Sequence, residues 1–503
     1  MNHTTRCPGP SSALAGPTSR RDFLWRFGGG LGGAAMAHLL GLDDLLGSRA
    51  PAAAPPGAGP GAGGLLHQTG GLHHPARAKR VIQIFLNGGM SQMDTFDHKP
   101  RLAELNGQPF DPGGGVKVES VTGSHAGFPL MQSPFAFKQH GQCGRWVSSV
   151  FPHIATCVDD IAVLMSMTSK TNVHGPGSYM MNTGFVLPGF PAMGAWISYG
   201  LGSLSDDLPA FVVMPDPRGL PYNNQGNFTS AFLPVAHSGT IIKPTSPTPI
   251  SDLYPPESAS FITKESEAEG LELLRRLNEE HAQENEGDSR LDARIASYEL
   301  AAKMQLSAPQ VLDLSGESQA TRKLYGLDEP VCQEFGHRCV TARRMLERGV
   351  RFVQVWSGAG GPANNWDNHG NIHTELPAIA SQVDKPVAGL LKDLKSRGML
   401  DDTLVLFNTE FGRQPFTQGQ SGRDHNGGTF VGWMAGGGVK GGTAYGQSDE
   451  WGWRAAEPIW CYDFHATVLH LLGVDHEKLT FRFNGANRRL TDVHGHVIHQ
   501  VLA

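Results

Sequence analysis

Five short apolar segments, separated by longer amphipathic stretches, constrain the fold of this chain most strongly. They read RVIQIFL from residue 80, IAVLMSM from 161, AFVVM from 210, RFVQVW from 351 and TLVLFN from 403. Between the last two segments, apolar residues recur on one helical face and Gly398 is placed to end the helix: Ile379, Val383, Val387, Leu390 and Leu394. Almost wholly apolar strands are buried on both faces, so we predict a mostly parallel sheet with helices on both sides.

The composition favours one large α/β domain with insertions. The chain has 503 residues, of which 39% are hydrophobic and 17% are charged. A formal charge of -6 gives no basic excess, so we do not expect a nucleic-acid partner. Apart from Cys7, the five cysteines form no CxxC pattern. We therefore predict no disulfide framework and no zinc knuckle, and a single bridge from Cys332 to Cys339 stays open.

The N-terminal region has the pattern of an export signal. In TSRRDFLWRFGGGLGGAAMAHLLGL, the arginine pair Arg20 and Arg21 precedes Phe23 and Leu24, followed by a weakly apolar, glycine-rich run. This order is typical of a twin-arginine signal, which we assign to residues 1–49. The run is too short for a membrane-spanning helix. We predict export by the twin-arginine machinery to the periplasm or another extracytoplasmic compartment.

Two further segments define the predicted domain organisation. Residues 50–79 contain APAAAPPGAGPGAGG, which cannot bury apolar surface and is predicted to be a disordered linker. Residues 80–503 are predicted to form the folded domain. Within it, an acidic stretch near 264–306 predicts one or two surface helices as an insertion.

Acidic and histidine side chains gather where the predicted strands end. The stretch NNWDNHGNIHTEL follows RFVQVW, and further acids and a histidine follow the other strands or lie in the loop GRDHNGG. In parallel sheets, ligands bind beyond the carboxyl ends of the strands. The candidate ligands at these ends are Asp94, Asp367, His369, His373, Glu410, Asp424 and His425. Carboxylates and imidazoles without thiolates are typical ligands of divalent zinc, calcium, magnesium or manganese.

From about residue 80 onward, the chain resembles the bacterial family called "domain of unknown function 1501", which is related to the sulfatases and alkaline phosphatases. The resemblance is carried by FLNGGMSQMDTFD, TRKLYGLDEPVCQEFGHRCVTARRMLERGVRFVQVW, WDNHGN, LLKDLKSRGMLDDTLVLFNTEFGRQPF and GRDHNGG. It implies an alkaline-phosphatase-like α/β/α sandwich with helical insertions. It also implies a site with one or two divalent metal ions that cleaves phosphate or sulfate esters.

The resemblance assigns ligands residue by residue, with departures. The first acidic ligand of the superfamily falls near Asn87, so Asp94 is the candidate replacement. An acid is retained at Glu410, but the histidine that follows it in the superfamily is Phe411 here. The implied metal ligands are Asp94, Asp367, His369, Glu410 and His425, and further candidates for the site are Asn87, Ser91, His373 and Asp424.

The nucleophile is the least defined part of the resemblance. His174 lies nine positions before Thr183, where sulfatases carry a Cys or Ser. It can attack phosphorus, bind metal, transfer a proton or simply begin a helix, and Ser91, Thr171 and Ser178 are alternative hydroxyls. Arg413 is predicted either to bind an anionic ester or to pair with a neighbouring carboxylate.

Two functions follow from these residues. The first is an exported, metal-dependent hydrolase of phosphate or sulfate esters, acting on a small molecule or a polysaccharide, with His174 and Arg413 as catalytic residues. The second is an exported binding or structural protein that retains the fold with a degenerate site, since a fold does not establish an activity.

Overall fold

The computed structural model describes residues 64–503, except 69, 117, 119–128, 252–262, 285–288, 362 and 420. The export signal predicted at residues 1–49 and the start of the predicted linker lie outside these residues. The chain divides into two units. Of the described residues, 251 and 263–284 belong to the smaller unit, and those within 64–250 and 289–503 belong to the larger.

Fifteen strands occur in the described part of the chain. Their bounds are β1 Arg80–Leu86, β2 Phe137–His140, β3 Arg145–Ser148, β4 Ile161–Thr168, β5 Phe211–Met214, β6 Thr240–Ile241, β7 Phe352–Ser357, β8 Thr403–Thr409, β9 Gly412–Gln418, β10 Gly422–Asn426, β11 Phe430–Ala435, β12 Ala444–Tyr445, β13 Ile459–Trp460, β14 Phe481–Phe483 and β15 Ala486–Arg488.

Ten α-helices are found in the same part. Their bounds are α1 Leu65–Gln68, α2 Pro100–Glu104, α3 His174–Thr183, α4 Met193–Leu201, α5 Lys264–Glu284, α6 Ser289–Leu312, α7 Gln319–Tyr325, α8 Gln333–Glu347, α9 Ile372–Ser396 and α10 Cys461–Leu471. Helix α5 belongs to the smaller unit and the other nine to the larger. Helices α5 and α6 lie where the acidic stretch predicts a helical insertion.

The larger unit is built on a nine-stranded sheet in the order β12-β4-β11-β8-β1-β7-β5-β6, with β13 also paired to β4. Strand β1 runs parallel to both of its neighbours, β7 and β8. Strand β11 runs antiparallel to β4 and β8, and the remaining strand pairs are parallel. The predicted mostly parallel sheet is therefore confirmed, with one antiparallel strand inside it.

Side-chain alternation gives the sheet two apolar faces. One face presents Phe85, Phe352 and Trp356 to a core that also contains apolar residues of α4 and α10. The alternate residues Val353 and Val355 are equally buried on the other face, where Arg338 of α8 donates a hydrogen bond to the main chain of β7. Helices on both faces of the sheet complete the predicted α/β/α architecture.

Helix α9 forms where the apolar periodicity predicts a helix. Its predicted apolar face is buried throughout. After the helix, Gly398 takes a φ of +68°, a left-handed conformation that favours glycine and ends the helix.

Residues before the predicted domain start at residue 80 also contribute to the core. Leu66 of α1 is 4% exposed and Ala78 is 1% exposed, and both belong to the main core. The main chain of Arg77 and Ala78 also donates hydrogen bonds to the carbonyl oxygen of Leu471. The end of the predicted linker is therefore part of the fold, because it carries apolar residues that the Pro/Ala/Gly composition conceals.

The five described cysteines, Cys143, Cys157, Cys332, Cys339 and Cys461, are all free thiols, so the bridge left open between Cys332 and Cys339 is not present. Among the described residues, none of the helices has the length and apolar character needed to cross a membrane.

Candidate metal centre

The parallel strands bring several loops to one edge of the sheet. Leu86 at the end of β1 is paired with Ser357 of β7 and Thr409 of β8, so these three strands end together. The loops that follow them therefore begin side by side, as the crossover rule predicts. Helix α3 begins shortly after β4, and the antiparallel hairpin of β9 and β10 places His425 opposite Arg413.

Four side chains converge at this edge, and we call them the His/Asp cluster: His174, Asp367, His369 and His425. Their ligand atoms all lie within 4.8 Å of one another. His369 Nε2 and His425 Nε2 lie 2.7 Å and 3.1 Å from Asp367 Oδ1, and His174 Nε2 lies 3.2 Å from Asp367 Oδ2. The two ring nitrogens of His369 and His425 are themselves 2.8 Å apart. Three imidazoles thus direct the same ring nitrogen at one carboxylate.

The opposite nitrogen of each imidazole is held by an oxygen atom. His174 Nδ1 lies 2.7 Å from Oε1 of Glu410, and His425 Nδ1 lies 2.7 Å from the carbonyl oxygen of Asn172. His369 Nδ1 pairs with the side-chain oxygen of Gln418. A carbonyl or an ionised carboxylate only accepts hydrogen bonds, so each Nδ1 is the N–H donor. A ring whose Nδ1 carries the hydrogen can direct an Nε2 lone pair into the cluster.

This arrangement fits a bound cation. Two lone pairs 2.8 Å apart at His369 and His425 repel each other unless a cation or a proton lies with them. Imidazoles that bind a metal through one nitrogen usually donate the other N–H to a carboxylate or carbonyl, as all three do here. The four residues of the His/Asp cluster could therefore hold a metal ion.

The electrostatics of the cluster favour positive charge at its centre. Burial opposes protonation of His174, but the hydrogen bonds to Asp367 and Glu410 outweigh burial and raise its pKa. Burial alone would raise the pKa of Asp367, but Arg413 and the three imidazoles hold it far below its usual range. Burial lowers the pKa of His425 to about 4, because burial and the nearby Arg413 charge outweigh the hydrogen bond to Asp367. Asp367 is thus ionised and His425 is neutral at pH 7, as metal ligands must be.

A sequence comparison identifies the family. The family described as "Protein of unknown function (DUF1501)" matches residues 78–502. The chain belongs to this family. No curated protein sequence matches the chain.

Solved structures similar to this DUF1501 chain include enzymes of the classes named by the sequence resemblance. The sulfatase PsFucS1 from Pseudoalteromonas sp. is 12% identical, with 79% of this chain and 68% of that chain covered and a TM-score of 0.33. The alkaline phosphatase from the Antarctic bacterium TAB5 is 9% identical, with coverages of 78% and 98% and a TM-score of 0.32. The lipoteichoic acid synthase LtaP from Listeria monocytogenes is 10% identical, with coverages of 80% and 74% and a TM-score of 0.29. Likeness at these TM-scores does not identify an activity.

Arg413 of this DUF1501 chain takes the second of its two predicted roles. Its Nη2 lies 2.7 Å from Asp367 Oδ1, and its Nε donates to the carbonyl oxygen of Gly89 at 2.7 Å. Its other donors reach the main-chain oxygens of Gly88, Trp366 and Arg423. The fully buried guanidinium therefore fixes Asp367 and the loop after β1, rather than extending toward an ester.

Glu410 is close to the His/Asp cluster but not in it. Its carboxylate accepts hydrogen bonds from the main-chain N–H of Gly88 at 2.8 Å and from Thr409 Oγ1 at 3.0 Å, besides its contact with His174. Through these contacts, Glu410 orients His174. It was predicted as a metal ligand, but it is not one of the four side chains of the His/Asp cluster.

Asp94, predicted as a ligand, is placed in a different interaction. It forms an ion pair with Arg423, with 2.6 Å between Oδ2 and Nε, and both side chains are fully buried. Ser91, also a candidate, donates its hydroxyl to Asp94 at 2.6 Å. Asp94 therefore contacts Arg423 and Ser91, and neither Asp94 nor Ser91 belongs to the His/Asp cluster.

The other candidates also lie outside the His/Asp cluster. His373 is exposed on α9, four positions after His369 in the sequence, with its ring near Phe135. Asp424 is buried and accepts a hydrogen bond from the main-chain N–H of His425 at 2.8 Å. Asn87 is buried at the end of β1, and neither polar atom of its side chain has a hydrogen-bond partner.

Sequence reasoning missed the groups that orient the imidazoles. Gln418 and the carbonyl of Asn172 carry no local pattern that marks them, since any amide or backbone oxygen can serve. Tyr222 was missed too, although its ring lies 4.4 Å from that of His174. The only available signal was position, because Asn172 lies two residues before His174.

Proposed function

We propose that this DUF1501 protein is an exported, metal-dependent hydrolase of phosphate or sulfate esters, from a small molecule or a polysaccharide. The observation that carries the proposal is the convergence of three Nε2 atoms on Asp367, with every Nδ1 held by an oxygen. The proposed ligands of one divalent ion are His174, Asp367, His369 and His425.

The ligand set favours zinc among the four predicted metals. Calcium and magnesium prefer oxygen ligands, whereas zinc is commonly bound by histidines with a carboxylate. Manganese accepts such mixed ligands less strongly in the usual order of affinities. A single carboxylate in the His/Asp cluster also fits one ion better than two.

The charges around the centre suit an anionic substrate. When bound, a divalent ion supplies a Lewis acid that polarises the ester oxygen and stabilises charge developing on it. With Asp367 as its one anionic ligand, a centre loaded with a divalent ion carries net positive charge. His369 is 27% exposed at its side chain, so the centre is open on its side. Phosphate and sulfate monoesters match that charge and access.

The contacts of this chain's own residues favour water as the nucleophile. Both nitrogens of His174 already face carboxylates, so its ring is not free to attack phosphorus or sulfur. The hydroxyl of Ser91 donates to Asp94, that of Thr171 accepts from the N–H of Val173, and Ser178 is fully buried within α3. The role left to His174 is to bind and orient the ion, which Glu410 supports.

The test compares two histidines, His369 and His373, that lie four positions apart in the sequence. Replacing His369 by Ala should reduce zinc content to a small fraction of the wild-type value and abolish hydrolysis of aryl phosphate and aryl sulfate esters, because one of four ligands is lost. His373→Ala is the matched control and should leave both unchanged, since His373 is exposed and outside the cluster. Metal content measured by mass spectrometry and ester turnover decide the result. Equal zinc content in the two variants would contradict the proposed metal centre.

A non-catalytic binding protein is the second candidate. It is favoured by Arg413, whose donors are directed to Asp367 and to main-chain oxygens. A zinc-loaded wild type that binds vanadate or phosphate without turning over either ester would support this candidate against the hydrolase.

A further inference from the structure

Tyr222, in the segment between β5 and β6, lies against the His/Asp cluster without belonging to it. Its ring is stacked on the imidazole of His174, with centroids 4.4 Å apart and planes 5° from parallel. Phe411 contacts the same imidazole, with centroids 4.9 Å apart and planes tilted by 34°. The contacts with Glu410 and Asp367 hold the two nitrogens of His174. The rings of Tyr222 and Phe411 restrict rotation of the imidazole and so help to set the direction of Nε2.

The hydroxyl of Tyr222 reaches the second ligand-bearing segment. It donates to the carbonyl oxygen of Gly361 at 2.8 Å and lies 3.3 Å from the Nδ2 donor of Asn365. Asn365 in turn accepts a hydrogen bond from the main-chain N–H of Asp367 at 3.0 Å. One side chain therefore links the helix that begins at His174 to the loop that carries Asp367.

The segment that carries Tyr222 is itself firmly held. Asn223 takes a left-handed φ of +64° and donates from Nδ2 to the carbonyl oxygen of Gly175, 2.5 Å away in the first turn of α3. Asn227 donates to the carbonyl oxygen of Tyr222 at 2.5 Å. The main-chain N–H of Gly360 donates to Leu220 O at 2.8 Å. These hydrogen bonds on both sides of Tyr222 in the sequence hold its ring in place beside the His/Asp cluster.

We propose that Tyr222 is a positioning residue of the metal centre, which orients His174 through its ring and the Asp367 loop through its hydroxyl. The role rests on the proposed metal centre and goes beyond it, because Tyr222 is neither a ligand nor a partner of an imidazole nitrogen. Groups that orient metal ligands commonly change metal affinity by about 10- to 100-fold when they are removed.

The experiment separates the ring from the hydroxyl. Tyr222→Phe keeps the stacked ring and loses the hydroxyl contacts, whereas Tyr222→Leu loses both. We expect the zinc dissociation constant, measured by competition with a chromophoric chelator, to rise roughly tenfold or more in Tyr222→Leu and less in Tyr222→Phe. The visible absorption of the cobalt-substituted protein should change in Tyr222→Leu, because that spectrum reports ligand geometry rather than global stability. Tyr445→Phe and Tyr445→Leu, in the edge strand β12, are the matched controls and should match the wild type.

The outcomes distinguish this role from the proposed metal centre. If the wild type binds zinc and both Tyr222 variants match it in affinity and cobalt spectrum, the positioning role is overturned and the metal centre stands. If the wild type binds neither zinc nor cobalt, the metal centre fails and the role of Tyr222 fails with it. If Tyr222→Leu does not fold, the result rests on Tyr222→Phe. A zinc dissociation constant and a cobalt spectrum equal to those of the wild type in Tyr222→Phe would then overturn the positioning role of the hydroxyl.

Discussion

Asp94 and Arg423 show how a single contact decides the role of a residue. Asp94 follows β1 at a position where a metal ligand is expected, yet it forms an ion pair with Arg423 in the interior. Arg423 also donates to the main-chain oxygens of Gln414 and Met131. The ion pair compensates both buried charges, and the side chains of the His/Asp cluster come from other segments.

The ion pair of Asp94 and Arg423 leads to a prediction about the removal of one of its charges. Asp94→Asn should lower the free energy of unfolding by roughly 3–5 kcal/mol, because it leaves the buried Arg423 charge uncompensated. The zinc content of the folded protein should stay at the wild-type value. Urea unfolding and metal analysis measure the two quantities. The double variant Asp94→Asn with Arg423→Met is the control and should recover part of the stability. A loss of zinc in folded Asp94→Asn would instead return Asp94 to the ligand set.

At the scale of elements, helix α3 joins the metal centre to the core. Its first residue is His174, and the carbonyl oxygen of Met181 in its last turn accepts a hydrogen bond at 2.9 Å from His465 of α10. His465 is fully buried, and its Nδ1 has no hydrogen-bond partner. The contact between α3 and α10 therefore depends on an imidazole that must stay neutral.

The buried imidazole of His465 predicts a pH dependence of stability. Burial lowers the pKa of His465 to about 4 in the folded state, below its usual value of about 6.5 in the unfolded chain. Between these values the unfolded chain binds the extra proton, so stability falls as the pH falls through this window. The variant His465→Gln keeps a hydrogen-bond donor to Met181 but has no imidazole to protonate. Between pH 7 and pH 5, we expect its free energy of unfolding to fall by roughly 2 kcal/mol less than that of the wild type.

Denaturant unfolding at both pH values measures this difference. His496→Gln is the control, since His496 is exposed and should leave the pH dependence unchanged. An equal loss of stability in the wild type and His465→Gln would contradict the buried neutral imidazole.

For the whole molecule, the separation of the ligands along the chain matters. The His/Asp cluster draws on positions from His174 to His425, so the site exists only when the larger unit is folded. Twin-arginine export carries folded proteins. A protein exported by that route can acquire its ion before it leaves the cytoplasm, which suits a site assembled from distant segments.

The proposed export route makes a prediction at the same scale. Replacing Arg20 and Arg21 together by Lys should leave the protein in the cytoplasm of a bacterial host with twin-arginine machinery, because the receptor recognises the paired guanidinium groups rather than charge alone. Immunoblots of periplasmic and cytoplasmic fractions measure the distribution. Arg6→Lys with Arg49→Lys makes the same chemical change outside the pair and should be exported normally. Export of the Arg20 and Arg21 variant at the wild-type level would exclude this route.

Local patterns in the sequence determined the architecture. Near-continuous apolar runs predict buried parallel strands, and the 3.6-residue period predicts α9, because both depend on which face of an element meets the core. The family motifs likewise marked three members of the His/Asp cluster, Asp367, His369 and His425, as ligands and His174 as a site residue. Each lies at or near the end of a strand or the start of a helix, where the carboxyl edge of a parallel sheet collects functional groups.

Only the tertiary structure decided which residues meet. His369 and His373 are four positions apart with the same chemistry, but one faces His425 at 2.8 Å and the other faces outward from α9. Tyr222 lies 48 positions from His174, and its stacking follows from how the segment after β5 folds over α3. No local period encodes such contacts, because they depend on the approach of segments that are distant in sequence and on competition among neighbours for each charge. That competition is the physical reason that Asp94 pairs with Arg423 while Asp367 lies among three imidazoles.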